Sequence, residues 1–304
     1  MIFATGFFAT FCHCMENVTL NVNEMKALVS LLGDTDPEVQ THVEQKIISL
    51  GDSIIPVLEK EWEQSFDPDS QKRIEEIIHT LQFDNLKRRL SQWKKSGAED
   101  LLEGLWLIAT YQYPDLEFTK IKDQVQQIYY ETWLEFKPDT VPLDQIKFIN
   151  SVMFNKLKFS PNTKNFHSVG NSMINIVLET RKGNPISLCC LYMLVAQRMK
   201  LPIYGVNLPN LFILTYKQGR HQFYINVFNK GLVFSKQDID NYLQNLNLKQ
   251  NDIFYQPCSH LDIVRRVMRN MIVAFEKTGE DEREQEIRAL LEVLTDEDDP
   301  YGSL

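Results

Sequence analysis

The hydrophobic pattern of this 304-residue chain changes after Lys182. Before this residue, apolar side chains recur mostly at helical spacing. After it, an apolar run over Ser187–Lys200 is long enough for a buried helix, and three shorter segments are rich in β-branched and aromatic residues. These three segments are Ile203–Asn207, Leu211–Tyr216 and Phe223–Phe228. The sequence therefore predicts an α+β, mostly helical protein in which one buried helix packs on a small antiparallel sheet.

The N-terminal part contains an internal repeat with a period of 31 residues. Asp36-Pro37 and Asp67-Pro68 are both typical of an N-cap followed by a proline in the first helical turn, and Gly51 lies where a helix would end. The same shift aligns apolar positions, namely Val43 with Ile74, Ile47 with Ile78, Leu50 with Leu81, Ile55 with Leu86 and Trp62 with Trp93. Two such copies resemble stacked HEAT-like helical hairpins, because one hairpin alone leaves its apolar face uncovered. An irregular helical bundle is the alternative.

Further helices are predicted along the rest of the chain. They cover residues 99–111, 118–136, 143–154, 260–276 and 281–294, and the last two form a hairpin that turns at Thr278-Gly279. We therefore divide the chain into a disordered or wrongly assigned N-terminus (1–22), helical repeats (23–96), the core with its helical lead-in (97–257), a helical hairpin (258–294) and a disordered acidic tail (295–304).

Charge and cysteine usage exclude several classes of protein. A formal net charge of −9 disfavours nucleic acids and anionic membranes as partners, because both require a basic surface. The five cysteines, at positions 12, 14, 189, 190 and 258, follow neither a disulfide framework nor a zinc pattern. We expect a cytoplasmic protein without a metal or other cofactor. The uncharged first fourteen residues are too short to span a membrane, which leaves an atypical export signal or a natural start at Met15.

Three motifs connect the core to a known family. They are Asn171–Leu178 (NSMINIVL), Gly183–Leu188 (GNPISL) and Tyr204–Pro209 (YGVNLP). Together they resemble the bacterial SirB-type transglutaminase-like family with a tetratricopeptide-like C-terminal segment. Ser259–Met271 looks like the helix that joins the core of that family to its C-terminal hairpin. The resemblance implies a papain- or transglutaminase-like core between the two helical parts of the chain.

The positions that would carry catalysis in this family have lost the required chemistry. A transglutaminase-like mechanism needs a thiolate at the start of the core helix, a histidine as base, and an Asp or Asn that orients the histidine. The resemblance places these roles at Pro185, Leu211 and Asn226. We interpret Ser187 as a helix N-cap rather than a nucleophile. A relic cleft would then be lined by Asn184, Ser187, Asn210, Leu211 and Asn226.

The sequence thus favours a non-catalytic transglutaminase-like protein that acts as an interaction or regulatory scaffold. Its partner would be another protein or a peptide, and the relic cleft would bind a peptide or a small ligand. The alternative is a peptidase or amide transferase that uses Cys189 or Cys190 as a displaced nucleophile and His221 as its base. A purely structural subunit of a larger complex is a third possibility.

Overall fold

The computed structural model describes residues 21–34, 36–296 and 301. The predictions for residues 1–20 and for most of the acidic tail lie outside the described residues. The chain divides into two compact units, Met1–Gln82 and Phe83–Leu304. Helices predominate in the described residues, and a small antiparallel sheet lies between helical segments, which confirms the predicted α+β class.

The first unit is helical and has a core of its own. Its helices are α1 (Val22–Ser30), α2 (Pro37–Ser49), α3 (Ile55–Gln64) and the first part of α4 (Pro68–Lys95). Both predicted helix starts are confirmed, since Asp36 accepts a hydrogen bond from the Glu38 amide at 2.9 Å and Asp67 accepts one from the Ser70 amide at 3.0 Å. Ile47, Ile54 and Leu58 are fully buried in the core of this unit.

The second copy of the repeat is one continuous helix, so the prediction of two helical hairpins is wrong in this respect. The first copy breaks at Gly51, whose φ of +67° ends α2, and Pro56 lies in the first turn of α3. The shift of 31 residues places Gln82 and Lys87 at the equivalent positions of α4. Both side chains favour helices, so nothing interrupts the chain there. The HEAT-like similarity itself stays a prediction.

The second unit surrounds the core helix with further helices. After α4 come α5 (Leu101–Thr110), α6 (Phe118–Trp133) and α7 (Pro142–Asn150), which continues into a π-helical turn. A two-residue parallel pair, β1 (Ser160–Pro161) and β2 (Lys182–Gly183), flanks α8 (Ile174–Thr180). The core helix α9 (Pro185–Arg198) follows directly and is almost entirely buried.

The sheet has four antiparallel strands, whereas the sequence predicted three. The strands are β3 (Ile203–Leu208), β4 (Leu211–Gln218), β5 (His221–Asn226) and β6 (Leu232–Phe234), paired in that order. Helix α9 packs on one face, and α10 (Lys236–Asn245) contributes Ile239 and Leu243 to a separate cluster on the other face. The three residues of β6 are too few to show an alternation in the sequence.

The C-terminal helical hairpin is confirmed. It consists of α11 (His260–Thr278) and α12 (Asp281–Leu294), and Gly279 with φ +71° turns the chain between them. Arg265 and Lys94 hold the end of α12, since both donate hydrogen bonds to main-chain oxygens there and both pair with Asp296. Among the described helices, none combines the length and the apolar run that a bilayer crossing requires.

Candidate functional site

A capping box holds the start of α9, where the thiol of an active enzyme would lie. The Asn184 side chain accepts a hydrogen bond from the Ser187 amide at 2.9 Å, and the Ser187 hydroxyl accepts one from the Asn184 amide at 3.1 Å. Asn184 also donates to the Ser172 hydroxyl at 3.0 Å. The N-cap is therefore Asn184, which corrects the prediction of Ser187. Pro185 occupies the first helical position, which proline tolerates because that position needs no intrahelical N–H bond.

A cavity of about 360 Å³ opens beside this helix start, and we term it the α9 cleft. Its wall is formed by the residues before α8, the first turn of α9, the β3–β4 connection and one face of α11. The lining residues are Phe166, His167, Ser168, Ser172, Asn184, Pro185, Ile186, Asn210, Phe212, Arg266, Arg269, Asn270, Val273 and Ala274. Of the predicted site residues, the structure thus brings together Asn184, Pro185 and Asn210.

Leu211 does not line the α9 cleft, because it belongs to the opposite face of the sheet. Successive side chains of a strand point to opposite faces. Leu211 packs in the cluster that contains Ile213 and the α10 side chains, whereas Phe212 and Leu214 pack in the cluster that contains α9. The Phe212 carbonyl oxygen lies 3.6 Å from the Cys189 sulfur. Phe212, one residue after the predicted relic position, is therefore the residue of β4 that faces the start of α9.

Ser187 and Asn226 do not line the α9 cleft either. Ser187 is 3% exposed and its hydroxyl is used by the capping box. Asn226 ends β5, and its side-chain oxygen accepts a hydrogen bond from the Asn229 amide at 3.1 Å. This bond caps the short turn Val227–Asn229, so the side chain has a local structural role.

The alternative enzyme hypothesis pairs Cys189 or Cys190 with His221, and the structure does not bring these residues together. Cys189 and Cys190 are fully buried in the core, and this burial raises the pKa of both thiols. His221 is exposed where β5 begins, opposite Gln218, and it lines a different surface cavity with Val141. A reactive cysteine needs an accessible site that lowers the pKa of the thiol, and these two cysteines have the opposite environment.

The α9 cleft does contain one imidazole and two hydroxyls. The His167 ring nitrogen Nε2 lies 2.8 Å from the ammonium group of Lys277. An ammonium group can only donate a hydrogen bond, so Nε2 is the acceptor. The Ser172 hydroxyl accepts from Asn184. Among the hydrogen bonds of the described residues, none joins His167 to a hydroxyl group. The cleft residues thus do not form a serine–histidine pair.

The sequence analysis missed the contribution of α11 to the cleft. Arg269 and Asn270 lie three and four residues after Arg266, and Val273 lies three residues after Asn270. These spacings place the four residues on one face of this helix. Arg266 is only 7% exposed. The sequence does contain a sign of this contribution, because two arginines interrupt the apolar side of an otherwise amphipathic segment. Without the fold, nothing in the sequence connected this segment to the start of α9.

Comparisons with known proteins agree with this architecture. Residues 119–269 match the Transglutaminase-like superfamily. The chain is 28% identical over 187 residues to a UPF0162 protein of Xylella fastidiosa (strain 9a5c). The aligned stretch covers 59% of this chain and 66% of the relative. The chain is also 28% identical over 153 residues to F-box only protein 21 of Mus musculus. This aligned stretch covers 48% of the chain and 24% of that protein.

The match to the bacterial relative thus spans slightly less than two thirds of its length. A UPF0162 protein of Vibrio cholerae is 32% identical over a shorter stretch of 76 residues, 25% of this chain and 28% of the relative. No solved structure matches the chain. The helix-on-sheet core, the cleft at the start of α9 and the matched range lead to one conclusion: residues 119–269 of this chain are similar to the transglutaminase-like superfamily.

Proposed function

We propose that this protein is a non-catalytic transglutaminase-like protein that works by binding. The α9 cleft holds a small molecule or a short peptide segment, and the helical segments of the chain bind another protein in the cytoplasm. One observation carries the proposal. The wall of the cleft has Pro185 at the start of the core helix and Phe212 on the facing strand, where acyl transfer requires a thiol and an imidazole.

The side-chain chemistry of Pro185 and Phe212 supports a cleft that does not catalyse acyl transfer. Proline has no nucleophilic side chain, and phenylalanine neither accepts nor donates a proton. None of the described residues that line the cleft is a cysteine. The described cysteines at positions 189, 190 and 258 are free thiols, as expected in a reducing compartment, and two of them are in the core.

The shape and polarity of the cleft support binding. Its volume of about 360 Å³ lies in the range of small-molecule sites, about 300–1,000 Å³. Asn184 is held by four hydrogen bonds to Ser172 and Ser187, so this part of the wall exists before any ligand arrives. Asn210 and Asn270 add further amide groups, which can donate and accept hydrogen bonds. A preformed wall lowers the entropic cost of binding.

A thiol-labelling experiment tests the non-catalytic part of the proposal. The native protein is treated with iodoacetamide at pH 7, and the peptides that contain Cys189 and Cys190 are followed by mass spectrometry. We expect slow labelling that accelerates in urea, because burial keeps both thiols protonated and inaccessible. Fast labelling of one of them in the native protein, lost in the Cys189→Ser/Cys190→Ser variant, would show that the protein has a reactive thiol and contradict the proposal.

A cleft-blocking variant tests the binding part. Val273 lines the cleft and is 42% exposed, so Val273→Trp fills the cleft with little risk to the core. Val141→Trp is the matched control, because Val141 is 62% exposed and lines a different cavity. The proteins are isolated from native cells and denatured, and the released small molecules and peptides are compared by mass spectrometry. We expect a ligand that Val273→Trp loses and Val141→Trp retains. Equal ligand content in the two variants would count against binding in the cleft.

A further inference from the structure

The negative charge of this protein is concentrated in its first compact unit. Residues 1–82 contain fourteen Asp and Glu residues but only five Lys and Arg residues, which gives this unit a formal charge of −9. The second unit, residues 83–304, contains 27 residues of each sign and is formally neutral. Because the whole excess of charge lies in one unit, this unit attracts cationic partners and repels anionic ones.

A groove between α3 and α4 brings some of these carboxylates together with apolar side chains, and we term it the α3–α4 groove. Its volume is about 370 Å³. The lining residues are Glu59, Trp62 and Glu63 of α3 with Glu75, Ile78, His79 and Gln82 of α4. All of them belong to the first unit. Three of these described lining residues are glutamates and none is Lys or Arg, so the groove is negatively charged.

Trp62 gives the groove an aromatic surface that is both exposed and fixed. This residue is 38% exposed, whereas Trp93, at the equivalent position of the sequence repeat, is 3% exposed. The Trp62 indole N–H donates a hydrogen bond to the Glu75 carboxylate at 2.9 Å, which links α3 to α4 and orients the ring. Phe66, in the connection between the two helices, is fully exposed. Exposed, rigid aromatic side chains are typical anchors of protein interfaces.

Two glutamates flank this aromatic surface on α3. Glu59 and Glu63 are both exposed and lie four residues apart, so their like charges face the same side of the helix. Among the ion pairs of the described residues, none includes either glutamate. A Lys or Arg side chain of a partner can pair with these carboxylates and can also lie over the Trp62 ring. The groove is therefore complementary to a segment that carries both apolar and basic side chains.

We infer that the α3–α4 groove docks a basic segment of a partner protein. An apolar side chain of this segment packs on Trp62, and Lys or Arg side chains beside it pair with Glu59 and Glu63. The inference rests on the proposed function, since it names the class of partner that the helical part of the chain binds. A second copy of this chain fits the groove less well, because its first unit carries the same negative charge and its second unit has no net charge.

Selection from a peptide library tests the inference. A phage library of random 12-residue peptides is selected on the full-length protein and depleted on the Trp62→Ala variant, which has the same net charge but lacks the aromatic anchor. The depletion step removes peptides that bind the acidic protein without using the groove. We expect the remaining peptides to share an apolar residue flanked by Lys or Arg, and to bind Trp62→Ala about tenfold or more weakly.

Two single-charge variants locate the binding. The most enriched peptide is synthesised, and its dissociation constant is measured by calorimetry in 0.15 M salt, where charges more than about 8 Å apart are largely screened. Glu63→Gln should weaken binding by about two- to fivefold, as expected for one exposed ion pair. Glu76→Gln is the matched control, because Glu76 is an exposed glutamate of α4 that does not line the groove, and it should have a smaller effect. This comparison decides the inference even if Trp62→Ala lowers the stability of the fold.

The outcomes separate this inference from the proposed function. The inference is overturned if no groove-dependent peptide is recovered, if the recovered peptides have no excess of Lys and Arg, or if Glu63→Gln and Glu76→Gln weaken binding equally. A dimer in analytical ultracentrifugation that Trp62→Ala dissociates would assign the groove to a second copy and overturn it as well. In each case the proposed function stands if Val273→Trp still loses the ligand of the α9 cleft. If Val273→Trp retains that ligand content, both proposals fail.

Discussion

Gly231 shows how tightly the turn before β6 packs against its neighbours. Gly231 has φ +74°, and a Cβ atom at this position would lie 2.0 Å from the side-chain oxygen of Asn150. Asn150 donates a hydrogen bond to the Gly231 carbonyl at 3.1 Å and accepts one from the buried Tyr192 hydroxyl at 3.0 Å. Gly231 thus allows the turn before β6 to approach α7 and the core helix.

We expect Gly231→Ala to lower the free energy of unfolding by about 2–3 kcal/mol, since the left-handed backbone is strained and the methyl group displaces Asn150. Urea denaturation measures the loss. Gly219→Ala is the matched control, because Gly219 also has a positive φ, +58°, but no atom lies within 4 Å of its added Cβ. This control should cost only about 1 kcal/mol, from the backbone alone. Equal losses in the two variants would contradict the role of the Asn150 contact.

At the scale of elements, α4 shows that a repeat in sequence need not produce a repeat in structure. Its first turn matches that of α2, since both helices begin at the proline of an Asp-Pro pair. The two copies diverge where the first has Gly51 and Pro56 and the second has Gln82 and Lys87. Two helix-breaking residues are therefore enough to turn the same apolar pattern into a hairpin in one copy and a 28-residue helix in the other.

We expect Lys87→Pro to interrupt α4 and lower the free energy of unfolding by about 3 kcal/mol or more, because proline removes a main-chain hydrogen bond and clashes with the preceding turn. Circular dichroism at 222 nm and urea denaturation measure the loss of helix and of stability. Lys87→Ala separates this effect from the loss of the Lys87 ammonium over the Phe83 ring, and it should change stability by less than about 1 kcal/mol. A Lys87→Pro protein as stable as Lys87→Ala would show that α4 tolerates a break.

At the scale of the whole molecule, the buried residues form separate clusters in the two compact units. Ile47 belongs to the cluster of the first unit, and Leu191 belongs to the large cluster around α9 in the second. Both side chains are fully buried. Because hydrophobic stabilisation depends on local burial, a cavity in one cluster should destabilise mainly the unit that contains it.

We expect Ile47→Ala to cost about 2–5 kcal/mol and to speed amide hydrogen exchange in α2 and α3 while α9 keeps its protection. Leu191→Ala should show the reverse pattern. Peptide-level exchange followed by mass spectrometry distinguishes the two. Loss of protection throughout the chain in both variants would show instead that the two units unfold as one.

Part of this architecture is local, and the sequence was sufficient to predict it. The starts of α2 and α4 were predicted at Asp36-Pro37 and Asp67-Pro68, and α12 was predicted with its observed bounds. The turn of the C-terminal hairpin at Gly279 was predicted as well. Caps, prolines and glycines act within a few residues of their own position, so their effects can be read without knowledge of the fold.

The sequence by itself determined that no cysteine lies at the start of the core helix, since Pro185 stands there in the chain whatever the fold. Only the tertiary structure decided that Phe212 rather than Leu211 faces this helix, and that Arg266 and Arg269 line the same cleft. The identity of a residue is a local property. Which face of a strand is covered, and which distant helix packs beside α9, depend on contacts between residues far apart in the chain, and spacing alone does not encode them.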